Sequence, residues 1–403
     1  MSDRSDAPVR QRLPTEVVVV SWVSFLNDAA SDMVIPLLPL LFAGSFGGGA
    51  LALGLVEGVA DAVASFMRLW SGRWSDMLAG RRKGLALAGY ALSNVVRPLL
   101  GLMHSWVPVL FLRSLDRVGK GIRSAPRDAL LADVTPAPLR ARAFGFHRAL
   151  DNGGAMLGAL LAAVVLLETH WSIPDMIVAS AVPGTMAVLL LALLVRDPGA
   201  SGTKAPPTPP PPLQWRQLAP HVRRYLGILA LFSFARASET FIIMRGHELG
   251  MTAPQLLVLW AAINLAKALA SQWGGVLADR VGRFAILCRS WGLFAFWYLC
   301  FAWVQHPVFL WGVALGYGIS AGLGEGVERA VISDFARAGE RGTAFGWYNM
   351  VTGLAAIPAG LIFGGLWSGV SASAAFSLGG VLALLSTLLL YHYFHSWVPA
   401  DVE

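Results

Sequence analysis

Apolar stretches of about 20 residues, each long enough to cross a bilayer core, recur along the whole chain and are parted by short polar breaks. Twelve are read, over 17–43, 51–75, 84–103, 107–132, 143–167, 173–195, 224–245, 254–277, 285–304, 307–333, 344–366 and 372–395. Helices are the form such spans take, because the backbone polar groups must be satisfied without water. Between spans 6 and 7 lies the one long break, with a KAPPTPPPPL core whose prolines favour an extended, unpacked chain. The predicted fold is an all-α integral membrane protein of twelve transmembrane helices in two pseudo-symmetric six-helix bundles. The expected organisation is a tail (1–15), a first bundle (16–196), a proline-rich linker (197–222), a second bundle (223–396) and a short tail (397–403).

Composition agrees with this pattern. The 403 residues are 56% hydrophobic and only 14% charged, against roughly 25% charged in soluble domains. The net charge of +7 raises the question of nucleic acid, and its distribution answers it. Basic residues fall in alternate loops: Arg81, Arg82 and Lys83; Arg140 and Arg142; Lys204, Arg216, Arg223 and Arg224; Arg280 and Arg283; Arg337 and Arg341. The loops between them (GSFGGGA, HSW, ETHWSIPD, GHELGMT, QHP, WSGVSAS) carry no Lys or Arg. That asymmetry is an orientation signal that predicts both termini in the cytoplasm, and the inner membrane is the expected location. No cleavable signal peptide is read at the start. Cys288 and Cys300 share one span and form no staple.

The chain also repeats itself. Residues 133–146 (DVTPAPLRARAFGF) match 334–347 (DFARAGERGTAFGW) without a gap, so Asp133, Arg140, Ala143, Phe144 and Gly145 recur as Asp334, Arg341, Ala344, Phe345 and Gly346. Upstream, Gly72, Asp76, Gly80, Arg81 and Arg82 are echoed by Gly275, Asp279, Arg280, Gly282 and Arg283. Duplication at half the chain length places the working site between the halves. The two halves, the central linker and this G-x3-D-x-x-G-R-[RK] loop together resemble the major facilitator superfamily over essentially the whole length. Arg117, Gly121 and Ala125 resemble the R-x3-G-x-G-x-A pattern of its antiporters, with Arg123 in place of the second glycine. Gly153, Gly154 and Gly158 resemble the antiporters' span 5 signature, with Ala159 where a proline would stand. GKGIRSAPRDALLAD is similar to a group of bacterial permeases in the superfamily.

The charged residues carry the candidate chemistry. At the cytoplasmic end of span 2, Gly72, Asp76, Arg81 and Arg82, with Gly275, Asp279, Arg280 and Arg283 in the copy, could latch the halves shut, the aspartate taking a helix N-terminus or the arginines as partner. Alternatively the basic residues only fix topology. Span 4 holds Arg113, Asp116, Arg117, Lys120, Arg123, Arg127 and Asp128, and a charge near the bilayer centre costs about 2.5–3.5 kcal/mol or more. Positions 113, 117, 120, 124 and 127 share one helical face, which should line a polar cavity. Arg127 and Asp128 lie near the headgroups and could snorkel. Asp28 with Asp32 on span 1, and Glu57 with Asp61 on span 2, are carboxylate pairs one turn apart, and Arg148 and Asp151 stand on span 5. Burial raises a carboxylate's proton affinity and a neighbouring arginine lowers it, so Asp28, Asp32, Glu57, Asp61 and Asp151 are candidate sites for a coupling proton. A sodium site and static salt bridges are the other readings.

The second half offers Arg236 and Glu239 on span 7, Asn264 and Lys267 on span 8, and Glu325, Glu328 and Arg329 on span 10. Together with Arg113, Arg117, Lys120 and Arg123, the residues Arg236, Glu239, Lys267, Glu325 and Glu328 are the expected cavity set. Glu328 aligns with Arg127, so acid faces base across the site, which suits an anionic or zwitterionic solute. Glycines on span 5, and Gly353 and Gly360 with Pro358 on span 11, allow close packing or bending. Histidines show no ligand spacing, no phosphate loop or catalytic dyad is read, and no metal, cofactor or enzymatic activity is expected. The resemblance implies a secondary active transporter working by alternating access. Proton coupling, efflux and a monomeric state in the lipid bilayer are expected. A proton- or sodium-coupled importer is the alternative, as is a membrane-embedded sensor or enzyme.

Overall fold

The structure is a computed structural model that describes residues 13–77, 82–136, 139–195, 214–335 and 341–397. Among these, twelve helical segments follow one another along the chain. They are α1 (Thr15–Asp32, continued by Leu38–Ala43), α2 (Gly49–Met77), α3 (Lys83–Leu99), α4 (Trp106–Val134), α5 (Arg140–Glu168) and α6 (Ile173–Ala179 and Ala181–Leu194). The second set is α7 (Pro220–Ala235 and Thr240–Glu248), α8 (Ala253–Val281), α9 (Arg283–Trp303), α10 (Pro307–Phe335), α11 (Arg341–Gly369) and α12 (Ala372–Trp397). Eleven are apolar enough to count as candidate spans, and α4 falls outside that set because of its charges. At 1.5 Å per residue its 29 residues still reach about 43 Å, more than the hydrocarbon core requires.

Packing follows the repeat. In the first set α1 packs on α5 and α6, α4 on α2 and α3, and α3 on α6. In the second, α7 packs on α11 and α12, α10 on α8 and α9, and α9 on α12. Each contact in one set has its counterpart in the other. Two seams join the sets, α2 against α11 and α5 against α8, and they too are exchanged by the pseudo-two-fold.

Glycine makes the first seam close. A Cβ on Gly54 would strike the Gly360 carbonyl, one on Gly360 would strike Gly54, and one on Gly58 would meet the backbone at Ala356 and Ile357. Small residues let helix backbones approach where lipid offers no hydrophobic drive of its own. The outward faces keep large apolar side chains exposed, among them Phe111, Leu193, Trp273 and Phe309, as a lipid-facing surface requires.

The two interiors differ. In the second set an aromatic cluster fills the middle: Phe232 stacks on Trp291 at 4.0 Å, and Tyr298 lies 5.9 Å from Tyr317 and 5.5 Å from Phe376. In the first set the apolar cluster around Val17, Val20, Tyr90, Leu130 and Leu131 gives way, deeper in the bundle, to buried charge. The linker read over 197–222 lies mostly outside the described residues.

Candidate functional site

The first helix of each set is broken, and the breaks put charged residues at the seam between the sets. In α1, Pro36 lacks an amide hydrogen and disfavours helical geometry at Ile35, so Thr15–Asp32 stops and the chain resumes at Leu38. Asp32 is the last residue before that break. In α7, residues 236–239 interrupt the helix, with Arg236 at φ −91° and ψ 79°. Ser238 accepts from the amide of Thr240 at 3.4 Å and restarts the helix. Arg236 and Glu239 flank the gap.

Between the sets lies a cavity of about 470 Å³. From the first set it is lined by Asp28, Asp32, Glu57, Asp61, Arg117 and Lys120. From the second it is lined by Arg236, Glu239, Lys267, Glu325 and Glu328, with Trp260, Asn264, Tyr317 and Tyr348. A smaller chamber of about 180 Å³ adjoins it, and Asp61, Arg117, Lys120 and Arg236 border both.

Several of these groups are locked in pairs. Lys267 donates to both oxygens of Glu239, at 2.7 and 3.0 Å, and the Tyr317 hydroxyl donates to the same carboxylate at 2.9 Å. Glu328 is buried and accepts from Trp291 at 3.0 Å and from Tyr348 at 3.1 Å, with Arg236 3.5 Å away. Two of the contacts at the cavity cross the seam. Trp260 donates its indole hydrogen to Asp32 at 2.7 Å, and Arg148 on α5 pairs with Glu325 on α10.

Behind the first-set wall runs a chain of buried polar groups. Arg113 donates to both Glu57 oxygens at 2.9 and 3.2 Å and to Asp116 at 3.1 Å. Asp116 accepts from Arg97 at 3.2 Å, Arg97 donates to Asn94 at 2.9 Å, and Asn94 donates to Asn27 at 3.2 Å. Asn27 donates to Asp28 at 2.9 Å. The chain thus begins and ends on residues that face the cavity, and it crosses α2, α4, α3 and α1. It holds Glu57 and Asp28 in fixed orientations.

The expected cavity face of α4 therefore divides. Arg117 and Lys120 line the cavity. Arg113 does not; it is fully buried in the network because Glu57 of the neighbouring α2 meets it at that level. Arg123 is buried with its guanidinium 4.5 Å from the Tyr90 ring centroid and 3.9 Å from Asp28, in the α3–α4 packing layer. Asp151 also lies apart from the cavity, 3.8 Å from Arg127 and 3.6 Å from His147. Arg127 is held by Asp128 and Ser24 inside the protein and does not simply snorkel.

The expected loop latch lies partly outside the described residues. The side chains of Asp76 and Asp279, and all of Arg81, lie outside the described residues. Gly72 sits on α2 with open space for little more than a Cβ beside Ala125, and Gly275 is unobstructed on α8, with Arg280 exposed near its end. Arg82 pairs with Asp133 at 3.0 Å, and Arg283 pairs with Asp334 at 2.6 Å. Both pairs stay within their own set of six helices. Arg82 thus ties α3 to α4, and Arg283 ties α9 to α10.

Sequence reasoning missed the aromatic partners Trp260, Trp291, Tyr317 and Tyr348. The repeat held the signal. The register that maps Asp76 onto Asp279 maps Glu57 onto Trp260, and the one that maps Asp133 onto Asp334 maps His147 onto Tyr348 and Tyr90 onto Trp291.

Similarity to known proteins agrees with this architecture. A sequence profile of the Major Facilitator Superfamily matches residues 20–359 and, again, 226–402. The chain is 33% identical over 386 residues to an MFS-type transporter of Methanocaldococcus jannaschii, covering 94% of this chain and 95% of the relative. It is 29% identical over 188 residues to the quinolone resistance protein NorA of Staphylococcus aureus, 47% of each chain. Among solved structures, a D-xylose–proton symporter superposes with a TM-score of 0.74 at 14% identity, covering 97% of this chain and 99% of that one.

Proposed function

This chain belongs to the major facilitator superfamily, and we propose that it is a proton-coupled secondary active transporter that carries a small, charged organic solute across the inner membrane. The observation that carries the reading is the cavity itself. It lies between two pseudo-symmetric bundles, is bounded by two broken helices, and is lined by ionisable side chains from both. Such a site suits alternating access, in which the bundles rock about a fixed midplane site. A lipophilic cargo would have no use for so many desolvated charges. The partial match to NorA favours export, and the Arg-rich loops favour cytoplasmic termini.

Asp32 and Asp61 are the proposed coupling carboxylates. Both face the cavity, and neither has an ion-pair partner within salt-bridge distance among the described residues, unlike Glu57 and Asp151. Asp32 has a further property that coupling needs. Its hydrogen bond to Trp260 joins the two bundles, so adding a proton to it weakens a contact across the seam. The test is transport in proteoliposomes with proton and sodium gradients imposed separately. A trapped pH dye would report solute-driven proton movement across a panel of organic anions and zwitterions. Proton-driven flux that Asp32→Asn or Asp61→Asn uncouples, while solute exchange survives, is the expected result. Sodium-driven flux would replace the proton with sodium, and no flux under either gradient would overturn the reading.

A further inference from the structure

The smaller chamber has an unusual balance of charge. Four cations border it, Arg68, Arg117, Lys120 and Arg236, against one carboxylate, Asp61. Arg236 shares its charge with Glu328 at 3.5 Å, and Arg68 donates to the neutral Asn349 at 3.4 Å. Arg117 and Lys120 have no hydrogen-bond acceptor or ion-pair partner among the described residues. Arg117 is only 6% exposed, and its Nε is buried with nothing to donate to. The wall is completed by hydroxyls, those of Ser65, Ser233 and Thr352.

A guanidinium facing a cavity with its Nε buried and unpartnered is unfavourable, and so is a second cation one helical turn away. Charge of that kind is kept where a ligand supplies the missing anion. Within the small chamber Asp61 can neutralise one of the two unpaired cations; Asp28 and Asp32, which share the larger cavity with Lys120, stand outside it. A single carboxylate on the solute would neutralise the other and leave the share of Arg68 and Arg236 unmet. A tetrahedral oxyanion of charge near −2 meets the balance in one compact group. It also offers several acceptor oxygens to the arginine fork, the lysine ammonium and the Ser65 hydroxyl, since Ser233 and Thr352 already donate to backbone carbonyls. The volume of about 180 Å³ holds several water-sized groups, enough for such a head. The adjoining 470 Å³ cavity, where Glu239 and Lys267 already satisfy one another, is left for the rest of the solute.

Building on the transport reading, we infer that the solute is a phosphate-type dianion, its head group bound in the small chamber by Arg117 and Lys120. The shared chemistry belongs equally to an organic phosphate or phosphonate and to free phosphate.

The test uses the full-length chain, purified and monodisperse in nanodiscs, with binding measured calorimetrically for glycerol 3-phosphate, inorganic phosphate, lactate and glycerol. Glycerol 3-phosphate is expected to bind at least tenfold tighter than lactate, with no binding of glycerol. Arg117→Gln and Lys120→Gln should each weaken it at least tenfold, and Arg117→Lys should recover only part, because a point charge cannot replace a fork of donors. Inorganic phosphate binding as tightly as the ester would keep the oxyanion assignment and identify free phosphate as the source. Lactate binding as tightly as the ester, no oxyanion binding, or unchanged affinity in both Gln variants would overturn the inference. If Arg117→Gln fails to fold, Lys120→Gln decides. Counterflow in proteoliposomes separates the two readings: flux of other solutes without oxyanion binding sinks only the head-group assignment, and absence of any flux sinks the transport reading.

Discussion

Asp116 is the keystone of the buried network in the first bundle, and its removal should be costly in a way that a paired removal is not. Its two oxygens take one arginine each, Arg97 at 3.2 Å and Arg113 at 3.1 Å, and all three side chains are at most 2% exposed. Asp116→Asn keeps the shape and removes the charge. Breaking a buried pair by deleting one partner costs about 3–5 kcal/mol, since the remaining charge is left uncompensated. Arg113 keeps both oxygens of Glu57, whereas Arg97 keeps only the Asn94 carbonyl, so one arginine bears most of the loss. The expected cost is therefore near the low end, about 3 kcal/mol, or roughly a hundredfold in the ratio of folded to unfolded protein. Arg97→Met/Asp116→Leu should recover to within about 1 kcal/mol of the parent, because apolar side chains of similar volume replace a buried ion pair at little cost. The second bundle already uses that solution: the register that pairs Asp133 with Asp334 puts Tyr298 and Tyr317 at the positions of Arg97 and Asp116. Denaturant titration in mixed micelles, followed by tryptophan fluorescence, reads both variants. Parental stability for Asp116→Asn, or a double variant as unstable as the single one, would refute the reasoning.

The pair formed by Glu239 and Lys267 should tolerate exchange better than loss. Glu239→Gln is expected to lower turnover at least tenfold, and Glu239→Lys/Lys267→Glu should recover part of it, as read by flux in proteoliposomes at matched protein density. The α2–α11 seam should be intolerant of a single methyl: Gly360→Ala places a Cβ against the Gly54 carbonyl and should part the helices without unfolding either bundle. A disulfide between Leu51→Cys and Ser368→Cys, whose parent residues meet at 3.2 Å from amide to hydroxyl, reports this. It should form readily in the parent background and poorly with Gly360→Ala.

Spans and repeat were legible in the sequence because they rest on period, length and internal similarity. The division of α4 was not. Arg113 and Arg117 lie on one face by spacing, yet Arg113 is closed in by Glu57 while Arg117 opens on the cavity. Periodicity fixes an angle around the helix axis and says nothing about which neighbour covers that face at a given depth. The same limit hid the route of Arg82 and Arg283 to Asp133 and Asp334, since a basic loop residue reads alike whether it faces its own bundle or the other. Trp260 and Tyr348 escaped notice for a different reason. As neutral aromatics in a Trp-rich chain they stand out only when aligned with Glu57 and His147 in the other half.

The buried charge of α4 also has a bearing on how the chain enters the membrane. Arg113, Asp116, Arg117 and Lys120 fall in the middle of a 29-residue helix. Carried into lipid one by one, they would oppose insertion by about 10–14 kcal/mol in all, from about 2.5–3.5 kcal/mol each. No run of leucines in the same helix balances that, so α4 cannot partition as an independent unit. Among its ions, Arg113 and Asp116 take their partners on other helices from Glu57 on α2 and Arg97 on α3, both of which leave the ribosome earlier. The three helices must therefore be held together at the translocon until α4 has emerged and then released to lipid as one packed group. In the second half, Tyr298, Ala314 and Tyr317 occupy the places of Arg97, Arg113 and Asp116, so α9 and α10 carry no such triad, and the cavity pair that binds one span to the next there is Glu239 on α7 with Lys267 on α8.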